Sequence, residues 1–171
     1  KGYKSANIIG RAGNNNPSSK EILITAHFDT YRRNNPGASD NASGVAVMLE
    51  LARYFKKNEN KLNCVLKFVA FGAEEVGLKG SFHYVENMSE ADIDRAIVMI
   101  NFDSLSVGDK LYIHAGFNEK TWARDEMLRL IRLRKLPIEM QPGLNPHYPA
   151  GFTPDWFSDY TAFNQAGIPI V

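Results

Sequence analysis

The feature that most constrains the fold is a series of largely apolar runs of strand length that do not alternate with polar residues. They occupy residues 22–26, 64–71 and 96–102. Strands that are apolar on both faces are typical of parallel sheets covered by helices on both sides. A stripe from Val45 to Phe55 at helical spacing separates the first two runs. We therefore predict an α/β fold, a three-layer αβα sandwich around a mostly parallel, mixed central sheet.

Shorter segments complete the expected order of elements. We predict further strands at 6–9, 111–114 and 168–171. We predict helices from a cap at Ser43, from about 78–80 to Asn87, at 120–134 and at 160–165. The proline-rich stretch 137–154 is expected to be a loop.

Composition excludes several functional classes. The 171 residues suit one domain with its own core, and 20 Lys and Arg against 19 Asp and Glu leave a net charge of +1. That balance provides no basic surface for nucleic acid. No apolar run is long enough to predict a membrane span. A single cysteine, Cys64, excludes an internal disulfide and a thiolate metal cluster.

Potential metal ligands stand where the predicted strands end. These residues are His27 and Asp29, the pair Glu74 and Glu75, Asp103, and Asp40 in the loop after the first strand. In open α/β sheets, ligands bind at the carboxyl ends of the strands, so these side chains are expected to meet. Singly, each would be an ordinary surface residue. Together, the carboxylates would repel one another unless a cation held them, and Zn²⁺ accepts this set of nitrogen and oxygen ligands.

Three segments then resemble the M28 family of zinc aminopeptidases. They are HFDTYRRNNPGASDNASG at 27–44, FVAFGAEEVGLKGSFHYV at 68–85 and MINFDS at 99–104. The family pattern has His-x-Asp, a second Asp, Glu-Glu before Gly-x-x-Gly-Ser, an Asp at a strand end and a final His. All but the final His occur here in order, and the likeness extends over residues 7–171. It implies a zinc-peptidase (phosphorylase/hydrolase-like) fold.

The resemblance implies a role for each residue at the strand ends. Asp40 would bridge two Zn²⁺ ions, His27 and Asp103 would complete one site, and Glu75 would bind the other ion. Glu74 would be the general base. The sixth residue, Asp29, would accept the remaining ring N–H of the histidine. The family also implies a non-proline cis peptide bond after Asp40.

One metal ligand of the family pattern has no counterpart in this sequence. Of the three remaining histidines, His83 is expected to be a surface or packing residue, His114 matches no family ligand, and His147 could line a substrate pocket. We therefore expect residues 1–171 to be an M28-type catalytic domain lacking its C-terminal segment, with the lack of an N-terminal segment as a further alternative. Such a chain would be weakly active or inactive, and downstream residues would restore activity.

The segment 158–163 resembles the family's Ser-Asp-x-x-x-Phe near the substrate pocket, with Tyr160 where many members have His. Asp159 would either line the site or cap the following helix. The implied function is a di-zinc aminopeptidase acting on peptides, secreted or at the cell surface. The alternatives are a carboxypeptidase or glutaminyl cyclase on the same scaffold, a non-catalytic peptidase-like interaction domain, or a metal-free binding protein. Oligomeric state and side-chain preference are not predicted.

Overall fold

The computed structural model describes residues 4–14, 16, 18–32, 34–114, 120–140 and 158–171. The strands are β1 (Ile8–Gly13), β2 (Glu21–His27), β3 (Val65–Phe71), β4 (Ala96–Asn101), β5 (Leu111–Ile113) and β6 (Ile138–Met140). The α-helices are α1 (Gly44–Lys57), α2 (Lys79–Glu86), α3 (Glu90–Arg95), α4 (Trp122–Arg134) and α5 (Tyr160–Gln165).

The main sheet has the order β1-β3-β2-β4. Strand β2 pairs in parallel with both β3 and β4, whereas β1 runs antiparallel to β3. Beyond β4, Ile170 forms a parallel bridge with Met99, so the apolar segment at 168–171 lies beside the sheet as predicted. Strands β5 and β6 form a separate parallel pair. The predicted mixed, mostly parallel sheet is confirmed.

Helices cover both faces of this sheet. On one face Ile24, Leu66 and Phe68 form a buried cluster with residues of α1. On the other face Leu23, Val69, Phe71 and Met99 pack with Phe163 of α5 and with side chains of α2 and α3. Burial on both faces explains why these strands read as continuous apolar runs. The helix–sheet–helix layering is that of the predicted αβα sandwich.

Two local predictions were wrong, and one short helix was not predicted. Ser43 does not cap α1, because its hydroxyl donates to the Ser39 carbonyl at 2.6 Å and accepts from the Leu105 amide at 3.0 Å. Helix α3 was not predicted, since six residues are too few to show a helical period; a capping box between Ser89 and Asp92 starts it. Strand β6 lies inside the stretch 137–154 that was predicted to be a loop, of which residues 141–154 fall outside the described residues.

None of the helices in the described part of the chain has the length and apolar character needed to cross a membrane.

Candidate metal centre

Three parallel strands bring the candidate residues to one edge of the sheet. Strand β2 ends at His27, β3 ends at Phe71 just before the turn that carries Glu74 and Glu75, and β4 ends two residues before Asp103. Because the carboxyl ends of parallel strands lie at the same edge, residues 76 positions apart in sequence become neighbours.

His27 is at the centre of the cluster and is 1% exposed. Its Nε2 atom lies 3.0 Å from Asp40 Oδ1, 3.4 Å from Asp103 Oδ1 and 4.0 Å from Glu74 Oε2. Burial disfavours the imidazolium ion and so lowers the pKa of His27. The hydrogen bond and charge of Asp103 and the charge of Glu74 outweigh burial, and the pKa is raised to about 10. The carboxylates thus attract a positive charge to this point, where a metal ion would serve the same purpose.

Asp40 reaches the cluster from the turn Ala38–Ser43, and the peptide bond between Asp40 and Asn41 is cis, as the family resemblance implied. The buried Asn41 side chain fastens this turn to the end of β4. Its Nδ2 donates to the Phe102 carbonyl at 2.9 Å, and its Oδ1 accepts from the amides of Gly44 at 3.0 Å and Ser104 at 3.3 Å. One amide side chain therefore sets the positions of two candidate ligand loops.

Asp29 contacts the His27 ring through a different atom from the one predicted. The Nδ1 atom of His27 lies 3.1 Å from the backbone carbonyl of Asp29 and 3.7 Å from its carboxylate, so the ring N–H donates to the backbone. The carboxylate instead accepts from the amides of Glu74 at 3.0 Å and Glu75 at 3.2 Å. Asp29 therefore holds the turn that presents both glutamates and fixes the ring through its main chain.

The two glutamates have different surroundings although they are adjacent. The Glu74 side chain is 10% exposed, and burial, together with the charges of Asp159 and Asp103, raises its pKa to about 8 despite the opposing charge of His27. Burial also raises the pKa of Glu75, with repulsion from Asp40 adding to it. The Oε1 atom of Glu75 is buried and has no hydrogen-bond partner among the described residues. Such an orphaned anionic oxygen favours a bound cation.

Asp103 is held by several donors. Burial would raise its pKa, but hydrogen bonds from His27, Ser158 and Ser104 prevail and lower it. Ser158 Oγ donates to Asp103 Oδ2 at 2.6 Å, and Ser104 Oγ donates to Oδ1 at 3.2 Å. The carboxylate is thus kept ionised, the form that binds metal.

Asp159 does not cap α5, so that alternative was wrong. It is fully buried, and neither carboxylate oxygen has a hydrogen bond of good geometry among the described residues. Burial raises the pKa of Asp159 to about 7, against the smaller opposing effect of the nearby Ser81 hydroxyl. That hydroxyl donates its hydrogen to the Leu78 carbonyl. Asp159 therefore adds a hidden acidic group beside the cluster.

The donor set fits zinc. Two groups of three side chains have ligand atoms within 4.8 Å of one another: His27 with Glu74 and Asp103, and His27 with Asp40 and Glu75. An imidazole combined with carboxylates matches the nitrogen and oxygen ligands that Zn²⁺ takes. All five residues predicted to bind metal or to act as base are therefore brought together.

His83 and His114 belong to neither of these two groups. His83 is exposed on α2, where its ring contacts Asn87. His114 packs against the Tyr160 ring at 5.4 Å between centroids, and burial, then the charge of Arg124, lowers its pKa. His147 lies outside the described residues.

The structure adds residues that sequence reasoning did not single out. Asn41 lies in the segment that resembles the M28 pattern but has no role in that pattern, and Asn101 lies within a predicted apolar strand. The one signal for Asn101 is that it is an amide inside an otherwise apolar run. Its hydrogen bonds depend on residues 76 and 57 positions away, which no local pattern reveals.

Gly44 tests how tightly the candidate ligand loops are packed. A Cβ atom there would lie 2.4 Å from Asn41 Oδ1 and 2.4 Å from the Phe102 carbonyl oxygen. We expect Gly44→Ala to lower the free energy of unfolding by about 1–3 kcal/mol or more, because backbone must move. Chemical denaturation measures this. Gly10→Ala is the matched control, since nothing lies within 4 Å of its Cβ; equal effects of the two changes would contradict the packing.

Comparisons with known proteins agree with this geometry. Residues 7–171 match Peptidase family M28. Aminopeptidase YwaD of Bacillus subtilis is 41% identical over 125 residues, which are 69% of this chain and 27% of YwaD. The structure of BSAP, a zinc aminopeptidase from Bacillus subtilis, aligns with a TM-score of 0.72 at 30% identity, covering 96% of this chain and 38% of that one.

A glutaminyl cyclase from an Acidobacteriales bacterium also aligns, with a TM-score of 0.74 and 18% identity over 96% of this chain and 56% of that one. At that identity the likeness shows a shared fold alone. The chain spans half or less of the length of the curated relatives that it matches.

Proposed function

The chain belongs to peptidase family M28, and on that premise we propose that it is the catalytic part of a zinc-dependent aminopeptidase. The observation that carries the proposal is the convergence of His27 with Asp40, Asp103 and the two glutamates at the strand ends. We propose two Zn²⁺ ions, as the family pattern implies. The resemblance to proteins named as zinc aminopeptidases supports the removal of N-terminal residues from peptides.

We assign the metal ligands from the family pattern and the contacts. Asp40 would contact both ions, His27 and Asp103 would hold one, and Glu75 would hold the other. The buried Oε1 of Glu75, which has no hydrogen-bond partner in the part of the chain that the structure describes, supports its assignment as a ligand. A further histidine ligand, a secreted or cell-surface location and restoration of activity by downstream residues stay predictions.

Glu74 would act as the general base. When bound, zinc ions supply a Lewis acid that polarises the peptide carbonyl and lowers the pKa of water. The Glu74 carboxylate would take a proton from the water that attacks the carbonyl carbon. It would then give that proton to the amine nitrogen as the C–N bond breaks. Asp29 would position Glu74 by holding the backbone of the turn that carries it.

Zinc binding should release protons. Without metal, the pKa of His27 is raised to about 10 and that of Glu74 to about 8, so both are mostly protonated at pH 7. A metal-bound imidazole must be neutral, and a nearby cation lowers the pKa of a carboxyl group. We expect more than one proton released per loaded protein at pH 7, and tighter zinc binding as pH rises. Calorimetry in buffers of different ionisation enthalpy measures the number; no proton release would contradict the assignment of His27.

The substrate assay separates the candidate reactions. We expect the zinc-loaded protein to hydrolyse aminoacyl p-nitroanilides, with the same substrates carrying an N-acetyl group left intact. This chain and any longer natural form should both be assayed, since the shorter one is expected to be weakly active. Release of C-terminal residues from N-blocked peptides would favour a carboxypeptidase, and conversion of N-terminal Gln to pyroglutamate would favour a cyclase. Zinc binding without turnover of any of these by the longer form would favour a non-catalytic domain.

A further inference from the structure

A chain of hydrogen bonds runs from the middle of the sheet to the candidate ligand Asp103. Thr25 Oγ1 donates to Asn101 Oδ1 at 2.8 Å, and Asn101 Nδ2 donates to Ser158 Oγ at 2.7 Å. Ser158 Oγ then donates to Asp103 Oδ2 at 2.6 Å. The chain joins β2, β4 and the residue two positions before α5. Thr25 and Ser158 are buried, so water does not compete freely for these groups.

The direction of the chain follows from the chemistry of its members. An ionised carboxylate only accepts, a hydroxyl has one hydrogen to donate and can also accept, and an amide has a donor end and an acceptor end. With the Asn101 oxygen facing Thr25, its NH₂ group must face Ser158, and the Ser158 hydrogen is left for the carboxylate. Were the amide reversed, Ser158 would donate to Asn101 and Asp103 Oδ2 would lose its short, charge-assisted hydrogen bond. The amide orientation therefore decides where the Ser158 hydrogen goes.

This arrangement treats the two oxygens of Asp103 differently. Oδ2 accepts the short hydrogen bond from Ser158, whereas Oδ1 accepts a longer one from Ser104 at 3.2 Å and lies 3.4 Å from His27 Nε2. A carboxylate fixed in this way presents one defined oxygen to a metal ion. Groups that orient metal ligands through hydrogen bonds contribute to affinity even though they do not touch the metal.

We propose that Asn101 is a positioning residue for Asp103 that acts through Ser158, with Thr25 supporting it by donating to the Asn101 amide oxygen. The inference rests on the proposed function, because it assigns Asp103 to the metal centre. Asn101 itself contacts neither the proposed metal nor the substrate. Its effect would be on which oxygen of Asp103 is offered and how firmly it is held.

The test is a double-mutant cycle read out by zinc affinity. Asn101→Ala is expected to weaken one of the two zinc-binding steps by about 10–100-fold. That is the range typical of residues that orient ligands. Ser158→Ala should weaken the same step. If Asn101 acts through Ser158, adding Asn101→Ala to Ser158→Ala should cause no further loss. Competition with a chromophoric chelator gives the affinities, and the visible spectrum of the Co²⁺-substituted protein reports the ligand geometry.

A second pair of variants covers the case in which Asn101→Ala does not fold. Thr25→Val keeps the shape of the side chain but removes the hydroxyl, and should lower zinc affinity; Thr25→Ser keeps the hydroxyl and should restore it. Asn87→Ala, an exposed amide bonded to His83, is the matched control and should leave zinc binding unchanged. Unfolding of the metal-free variants is measured separately, because a purely structural role would change stability without changing the Co²⁺ spectrum.

The outcomes separate the two proposals. If the wild-type protein binds zinc and the Asn101→Ala and Thr25→Val variants bind it with the same affinity, the positioning role is overturned. The proposed function is then unaffected. Additive losses in the cycle would also overturn it, since Asn101 would then act independently of Ser158. Failure of the wild-type protein to bind zinc at all would overturn the proposed function and, with it, this inference.

Discussion

Replacing Glu74 by glutamine is expected to reduce kcat for aminoacyl amide hydrolysis by about 10²–10⁴-fold while zinc remains bound. Glutamine keeps the size of the side chain and its place in the turn held by Asp29, but it cannot accept the proton from water. The Glu74 side chain lies 4.0 Å from His27 Nε2 and is almost buried. Metal content and steady-state kinetics on the same preparation check both parts.

The matched control for this change is Glu86→Gln, the same substitution at an exposed position of α2. It should leave both kcat and zinc content unchanged. Glu74 is also one of the side chains close enough to bind metal with His27 and Asp103. Loss of one zinc ion together with activity would therefore show that Glu74 is a ligand and not the base, contradicting the assignment. Retention of most of the activity would contradict it as well.

Replacing His27 by alanine is expected to have the largest effect on metal binding. His27 belongs to both groups of potential ligands, and its Nε2 atom alone lies within 4.0 Å of three carboxylates. Loss of the ring removes the one nitrogen ligand of the described cluster and the group that offsets its negative charge in the metal-free protein. We expect zinc affinity to fall by more than about 100-fold, beyond the range for residues that only orient ligands, and activity to be lost.

His83→Ala provides the control for this substitution, because His83 is exposed and its ring contacts Asn87. It should bind zinc as the wild type does. Circular dichroism of the metal-free His27→Ala protein must show the native fold for the comparison to hold. A folded His27→Ala protein that keeps both zinc ions at wild-type affinity would remove the basis for the proposed centre.

The parts of the fold that rest on long apolar runs could be predicted from the sequence. Strands β2, β3 and β4 are buried on both faces, so their composition identifies them without any knowledge of their neighbours. The same runs end in or just before ligand-type residues, and parallel pairing brings those ends together, while Asp40 joins them from the turn Ala38–Ser43. This is why the five residues of the cluster could be named in advance.

The details that sequence did not predict depend on contacts between distant segments. Asp29 was expected to hold the His27 ring with its carboxylate, yet the local backbone turns that carboxylate towards the amides of Glu74 and Glu75. Asp159 was given a capping alternative because it precedes a helix, but its side chain is buried beside the cluster. Short elements such as α3 and β6 contain too few residues to show a period.

The central claim is that His27, Asp40, Glu75 and Asp103 hold two zinc ions while Glu74 stays free to act as a base. Anomalous X-ray diffraction at the zinc absorption edge from zinc-loaded crystals tests it most directly. The proposal predicts two anomalous peaks about 3.5–4 Å apart, with Asp40 in contact with both, His27 and Asp103 at one and Glu75 at the other. Peaks located elsewhere, or a peak bound directly by Glu74, would contradict it.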